Sequence, residues 1–381
     1  MSERPLPYGR QDIAPTDVEA VRAVLSSDFL TTGPEVECFE GALSEVSGAA
    51  LAVAVSSGTA ALHAAYAALG VGPGDEVVTS PMTFASTANA ALHLGATVRF
   101  VDVEPDTATL DPARLDDAVT DRTRAICAVD YAGHPADYDA IRAVADRHGL
   151  PVVADAAHSL GASVGTRPVG TLAALTAFSF HPVKVVTTGE GGALVTDRAD
   201  LAAAARRFRS HGIRRADELA DAEGPWWYEI DEVGLNYRIT DLQCALGRAQ
   251  LARLGAFVER RRSIAVRYSE AFADLDALRL PVVRAGVRSA WHLYVVRVRG
   301  DGTERKRLFL RLRELGLGVQ VHYIPVHYHP AYQRLGHRRG DHPVAEAHYR
   351  ECLSLPLYPA LSDDDVESVV DRVRRAVAEV L

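Results

Sequence analysis

The chain has few lysines for its arginine content, only four cysteines in 381 residues, and no long apolar run. Cys38, Cys127, Cys244 and Cys352 stand far apart, so neither a disulfide framework nor a cysteine metal site is expected, and a reduced, cytoplasmic setting fits. No apolar stretch reaches membrane-spanning length, and the opening residues "MSERPLPYGRQDI" lack the apolar core of a secretory leader. A concentrated basic block is also missing. With a net charge of −9 the chain is a poor partner for nucleic acid, and runs such as "ERRR" (Glu259 to Arg262) read as solvated surface. Neither GxGxxG nor a P-loop occurs, so no dinucleotide or triphosphate site is indicated. Internal repeats and low-complexity linkers are absent too.

What is present is ordinary globular composition, 48% hydrophobic and 24% charged, long enough for two domains. From about residue 50 to 200, apolar β-rich runs ("LAVAVSS", "EVVTS", "RAICAVD", "PVVADAA", "LTAFSF", "GALVTD") alternate with helix-like pieces such as "TAALHAAYAALG" and "DYDAIRAVADRHG". That alternation predicts an α/β domain around a mainly parallel sheet, covered on both faces. Ligands in such folds gather at the carboxyl ends of the strands. Near residue 240 the pattern changes. Thr240 and Gln243 form a capping box before a long helical stretch; "WHLYVVRVRG" then alternates like a strand, and "HPVAEAHYRECLSL" reads as helix. The reading is a large α/β domain over residues 1–244 and a smaller α+β domain over 245–381.

Four places in the α/β half fall at strand ends. In "VSSGTAAL" a strand runs into Ser56, Ser57, Gly58 and Thr59; this reads either as a simple helix cap or as an anion site of glycine, hydroxyl and free N–H groups. Phe84 in "TSPMTFASTANA" is either core or a ring-stacking plate. Asp155 in "VVADAAHSLGA" ends an apolar strand, as a helix cap or as a carboxylate meeting something cationic, and His158 follows it. Lys184 in "AFSFHPVKVVTTGEGGALVTD" sits between an apolar run and a glycine cluster, with Ser179 and His181 just before it. Burial there can lower an amine's pKa and make it a nucleophile toward carbonyls. An amine, a carboxylate for a cationic ring nitrogen, an aromatic plate and a phosphate nest together match one cofactor, pyridoxal 5′-phosphate.

"SFHPVKVVTTGEGGALVT" resembles the lysine motif of the DegT/StrS sugar aminotransferases, within fold type I of the pyridoxal-phosphate enzymes. "SSGTAAL", "PMTFASTANA", "ADAAHSLGA", "RSHGI" and "EVGLNYRITDLQCALGRAQL" fit that family in the same order, and the resemblance spans essentially the whole chain. It implies that Lys184 is the Schiff-base lysine and proton carrier, and that Asp155 holds the pyridinium proton. Phe84 would stack on the ring, His158 would lie beside it, and Gly58, Thr59 and Ser179 would bind the phosphate. Asn236, from "GLNYR", would reach the neighbouring subunit's site in a homodimer with shared sites, and Tyr323 and His327 would face substrate. The family's sugar dehydratases carry histidine in place of the lysine, so Lys184 disfavours that chemistry; alanine replaces the commoner glutamate before Asp155.

"SDFLTTGPEVECFE", "VDYAGHPAD" and "VQVHYIPVHYHPAYQRLG" are similar to the branch that serves pseudaminic acid synthesis, which aminates C4 of a UDP-4-keto-6-deoxy-N-acetylhexosamine from L-glutamate. A dTDP-sugar aminotransferase acting at C4 or C3 is the alternative; a pyridoxal-phosphate-binding sensor is disfavoured because the α/β domain begins too early to leave room for a DNA-binding module. No metal is expected: His322, His327 and His329 cluster in sequence without a cysteine or carboxylate beside them. Trp226 and Trp227 read either as a sugar-stacking lip or as packing at an interface.

Overall fold

The computed structural model describes residues 4–215 and 217–381. Its centre is a seven-stranded sheet built from β1 (Leu51–Val55), β2 (Glu76–Thr79), β3 (Thr97–Phe100), β4 (Thr123–Val129), β5 (Val152–Asp155), β6 (Leu175–Ser179) and β7 (Gly192–Thr196). The spatial order is β1-β7-β6-β5-β4-β2-β3. Every strand runs parallel to the rest except β7, which pairs antiparallel with both β1 and β6.

The strands read as unbroken apolar runs because both faces are covered. Successive side chains alternate between two cores. Ala52, Ala54, Val78, Ile126, Ala128 and Phe178 face one; Val53, Val55, Val77, Ala125, Cys127 and Leu175 face the other. The first core is closed by Phe39 and Leu43 of helix Pro34–Ser47, Ile141 of Tyr138–Arg147 and Cys244 of Asp241–Leu251. The second is closed by Leu62 and Tyr66 of helix Gly58–Ala68, Ala88 of Ser86–His93 and Phe208 of Ala199–Arg209. The Thr240–Gln243 capping box is formed at the start of Asp241–Leu251, a device worth about 1 kcal/mol.

A third core lies in the C-terminal part, where strands Leu278–Arg279, Tyr294–Val298 and Cys352–Leu355 form an antiparallel sheet under helices Thr303–Glu314 and Asp363–Val380. Helix Leu254–Ala271 bridges the units: Leu254, Phe257 and Val258 enter the first core, and Ile264, Ala265 and Tyr268 the third. Leu6, from the other end of the chain, also enters the third core. We propose residues 1–244 and 245–381 as the two units, stitched by this helix and by the N-terminal strap.

Two sequence readings differ from the structure. The long helical stretch after Thr240 breaks into Asp241–Leu251 and Leu254–Ala271. "CLSL" is strand, because Cys352–Leu355 pairs with Tyr294–Val298 and leaves the helix at Glu351. A sheet partner distant in sequence overrides local helix preference there.

The C-terminal part closes over the carboxyl edge of the large sheet. Asp102, just past β3, accepts from the N–H groups of Val344 and Ala345 at 2.9 and 2.8 Å, capping helix Pro343–Glu351. Val326 N–H donates to the Pro81 carbonyl at 2.9 Å.

Candidate active site

The parallel strands deliver their carboxyl ends to one cavity of about 430 Å³, lined among others by Tyr8, Ser57, Gly58, Thr59, Phe84, Asp155, His158, Ser179, Lys184, His292, His322 and Tyr323. At the end of β1 the chain turns directly into helix Gly58–Ala68, whose Ser57 caps it by accepting from Ala60 N–H at 3.0 Å. The free N–H groups of this first turn face the cavity rim and favour an anion. Gly58 is required by a close approach: a Cβ there would lie 2.8 Å from Ser179 Cβ. The glycine lets the β1 and β6 ends meet as one cradle.

Lys184 sits on the loop that joins β6 to β7. Backbone bonds close that loop at its neck, from Phe180 N–H to the Gly191 carbonyl at 2.9 Å and from Thr188 N–H to the Phe180 carbonyl at 3.0 Å. Val185 and Val186 anchor it in the first core. The half-buried amine therefore projects into the cavity from a fixed base. Burial pulls its pKa down to about 8, and the negative charge of Asp155 opposes that shift.

Asp155, at the end of β5, is 5% exposed. Burial raises its pKa, while bonds from Thr87 and Ala157 and the charge of Lys184 hold it back. Thr87 Oγ1 donates to Oδ2 at 2.5 Å, and Ala157 N–H reaches Oδ1 at a long 3.3 Å. One carboxylate oxygen is thus well satisfied and the other has capacity left. His158, one turn on, is buried and pairs Nε2 with the Tyr323 hydroxyl at 2.9 Å. Its Nδ1 has no partner, and its ring packs on His292 with centroids 4.3 Å apart. Burial and the nearby Lys184 hold the His158 pKa well below the usual range, so the imidazole is neutral. Phe84 is 63% exposed, a large apolar ring standing in solvent at the cavity mouth, 6.2 Å from the ring of Tyr323.

The structure brings Gly58, Thr59, Phe84, Asp155, His158, Ser179, Lys184 and Tyr323 together around this cavity. It does not bring Asn236 or His327 there. Asn236 is exposed, bridged to Ser210 beyond the sheet edge. His327 is fully buried, with Nε2 on Glu346 Oε1 at 2.9 Å, and holds a packed turn together with Tyr328. His322 alone of the three clustered histidines lines the cavity, with Nδ1 on Ser354 Oγ at 2.8 Å. Among the described residues no group of three His, Cys, Asp or Glu side chains is placed to hold a metal ion. Trp226 and Trp227 are exposed and lie outside the cavity.

Sequence reasoning missed Tyr8, Thr87 and His292. Thr87 carried a signal, since it falls one helical turn after Phe84 on the side facing β5. Tyr8 and His292 carried none, because long-range folding alone sets them beside Lys184 and His158.

These residues fit pyridoxal phosphate. A carboxylate oxygen with spare capacity lies deep in the cavity, a helix start and a glycine-enabled cradle form its anion end, and an exposed ring stands ready to stack. The volume suits a small cofactor with room for a further ligand.

Comparison with known proteins supports the same reading. The pattern of the DegT/DnrJ/EryC1/StrS aminotransferase family matches residues 11–374. The chain belongs to this family. Among curated relatives of these sugar aminotransferases, the spore coat polysaccharide biosynthesis protein SpsC of Bacillus subtilis (strain 168) is 44% identical over 377 residues, covering 98% of this chain and 97% of that protein. Among solved members, the putative sugar aminotransferase Spr1654 from Streptococcus pneumoniae in its PMP form superposes with a TM-score of 0.94 at 31% identity, covering 99% of this chain and 100% of that one. Helicobacter pylori PseC, an aminotransferase of pseudaminic acid biosynthesis, superposes with a TM-score of 0.93 at 30% identity, with coverage of 99% and 100%. The fold is that of the type I pyridoxal-phosphate aminotransferases, and the cofactor of this DegT/DnrJ/EryC1/StrS protein is pyridoxal phosphate. The chemistry is that of a sugar aminotransferase.

Proposed function

We propose that the protein transfers an amino group from L-glutamate to C4 of a nucleotide-linked 4-keto-6-deoxy sugar, with a UDP-4-keto-6-deoxy-N-acetylhexosamine as substrate. The reading rests on one observation: a low-pKa amine, Lys184, and a buried carboxylate, Asp155, share a cavity whose outer rim carries the exposed Phe84 and the half-buried Tyr8. Relatives that act in spore coat polysaccharide and pseudaminic acid synthesis support a cell-surface amino sugar as product.

In this reading Lys184 Nζ holds the cofactor covalently and, once released, moves protons. At neutral pH roughly a tenth of such amines are unprotonated, against almost none at an ordinary lysine. The free base takes a proton from the Cα of glutamate and later delivers one to C4 of the sugar. Asp155, whose Oδ1 has capacity left, would hold the ring nitrogen in its charged form. Gly58, Thr59, Ser179 and the first turn of helix Gly58–Ala68 bind the phosphate, Phe84 stacks on the ring, and His158, held by Tyr323, borders it. When bound, the cofactor would supply the carrier for the amino group and an electron sink. Each polar residue here acts at a strand end, where its neighbours already fix it.

The working unit in this proposal is a cytoplasmic homodimer, in which Asn236 of one chain completes the phosphate site of the other. Among the described residues no helix is long and apolar enough to cross a membrane, and the four cysteines are free. The test is to present UDP- and dTDP-linked 4-keto-6-deoxy sugars and their 3-keto counterparts with L-glutamate, and to follow products by mass spectrometry. The reading expects the UDP-4-keto-6-deoxy-N-acetylhexosamine to gain about one mass unit, as C=O becomes CH–NH2, together with formation of 2-oxoglutarate. Turnover confined to dTDP sugars or to the 3-keto compounds would overturn the assignment.

A further inference from the structure

We infer that Thr87 is a positioning residue for the aminotransferase reaction, and that Thr83 and Thr87 form a one-way hydrogen-bond relay that keeps Asp155 ionised and in register with Phe84. The inference rests on the role proposed above for Asp155.

The geometry carries it. Thr87 Oγ1 lies 2.5 Å from Asp155 Oδ2 and 2.6 Å from Thr83 Oγ1. Both threonines are buried, at 0% and 2% exposure, so water cannot replace either hydroxyl. A hydroxyl has one proton to give. An ionised carboxylate only accepts, so Thr87 must donate to Asp155; Thr83 must then donate to Thr87. The direction of the relay follows from the charge at its end.

That arrangement has two consequences. Burial favours the neutral form of Asp155, and Thr87 is the foremost of the contacts that oppose it. A bond from a neutral donor to a charged acceptor in such surroundings is stronger than an ordinary one. Losing it returns Asp155 toward protonation. A protonated Asp155 cannot hold a charged ring nitrogen, because it offers no negative charge to balance it.

The second consequence is mechanical. Thr87 N–H donates to the Phe84 carbonyl at 3.3 Å, so the residue that fixes the carboxylate through its hydroxyl also fixes, through its backbone, the turn carrying the aromatic plate. Tyr66, buried in the second core, donates to the Thr87 carbonyl at 3.1 Å and holds this turn against the sheet. With Oδ2 taken by Thr87, Oδ1 is the oxygen left for the ligand. The relay therefore selects which face of the carboxylate points into the cavity.

The experiment compares Thr87→Val, Thr87→Ser, Thr83→Val and Asp155→Asn in the cofactor-loaded protein. Thr87→Val keeps the shape and removes the donor; Thr87→Ser restores it. We expect Thr87→Val to lower kcat by roughly tenfold or more, the scale of one lost bond to a charged group, with little change in KM. The acid limb of the kcat profile should move up by about one pH unit, and the pH midpoint of the bound cofactor's absorbance change should move with it. Thr83→Val should give a smaller shift of the same sign, and Thr87→Ser should recover both readouts.

A Thr87→Val protein that folds, with wild-type acid limb and absorbance midpoint, overturns the inference. So does Thr87→Ser failing like valine. If Thr87→Val does not fold, Thr83→Val decides: an unmoved acid limb there overturns the relay. Should Asp155→Asn retain full turnover, the role of Asp155 itself fails, an outcome distinct from a crippled Asp155→Asn beside a normal Thr87→Val.

Discussion

Lys184, whose amine pKa is pulled down to about 8 by burial, is the residue on which the proposed chemistry turns. In the cofactor-free protein, acetylation of Lys184 should follow a titration with a midpoint of about 8, with the exposed Lys306 as an internal reference. The same shift sets a stability signature. An unfolded lysine binds its proton up to 10.5, while folded Lys184 releases it near 8. The unfolded state thus binds more protons between those values, and stability rises with pH across that window. Lys184→Met should therefore melt higher than the wild type at pH 6 to 7 when both lack cofactor. The gap should shrink above pH 8, and a constant gap would argue that Lys184 carries no burial penalty. Lys184→Ala should lose transamination altogether, and borohydride treatment of the loaded wild type should fix cofactor mass on the peptide bearing Lys184 rather than Lys306. Tyr323→Phe tests the neighbouring pair. It strips His158 Nε2 of its partner, and a several-fold loss of kcat with the cofactor still bound is expected. Unchanged turnover would make that bond a packing detail.

At the scale of elements, each strand end does two tasks, holding the sheet and aiming a polar group. Asp130, just past β4, shows how the second is supported. Its carboxylate is fully buried and accepts from Ala136 N–H at 2.9 Å, the Tyr138 hydroxyl at 2.8 Å and Ser159 Oγ at 2.5 Å. It thereby ties the start of helix Tyr138–Arg147 to the turn that carries His158. Burial raises its pKa from 3.8 to about 7, against the pull of those three bonds. The folded state then binds more protons than the unfolded state between pH 4 and 7, so this group costs stability as pH rises through that window. Asparagine keeps the acceptors for Tyr138 and Ala136 on one oxygen and offers its amide to Ser159. Asp130→Asn should therefore flatten the fall in stability between pH 4 and 7, measured as urea midpoints. An unaltered slope would mean that Asp130 is ionised throughout.

At the scale of the whole molecule, the cavity holds the lysine, carboxylate, plate and cradle from one chain, while Asn236 stands exposed outside its lining. The segment is nonetheless firmly placed: Ser56 N–H donates to the Tyr237 carbonyl at 2.8 Å, and the Tyr237 hydroxyl meets His63 Nδ1 at 3.0 Å. A polar side chain so anchored, beside the exposed apolar residues Val233 and Leu235, suits an arm that serves a second copy. The prediction follows from mixing two inactive proteins, Lys184→Ala and Asn236→Asp. A mixed dimer has one site with both defects and one with neither, so exchange should restore about a quarter of wild-type activity. Exchange proven by mass labelling without recovery would assign Asn236 to its own chain or to no catalytic role.

Much of this protein was determined by local sequence. Unbroken apolar runs between helical stretches specify a parallel sheet covered on both faces, and Thr240 with Gln243 specifies a helix start, because both signals are read by groups within a few residues of one another. Lys184, Asp155, Phe84 and Gly58 were legible as chemistry for a related reason: each places a costly or unusual group where an apolar strand ends. What only the tertiary structure decided is which distant residues complete them. Thr87 reaches Asp155 at the end of β5 from helix Ser86–His93, Tyr8 arrives from the N-terminal strap, and His292 packs on His158 from the C-terminal half. His327, which reads in sequence as a companion of Tyr323, is turned inward to Glu346, and "CLSL" becomes strand. In each case burial against a partner far along the chain outweighs local preference. A buried polar group must find its hydrogen bond wherever the fold supplies one.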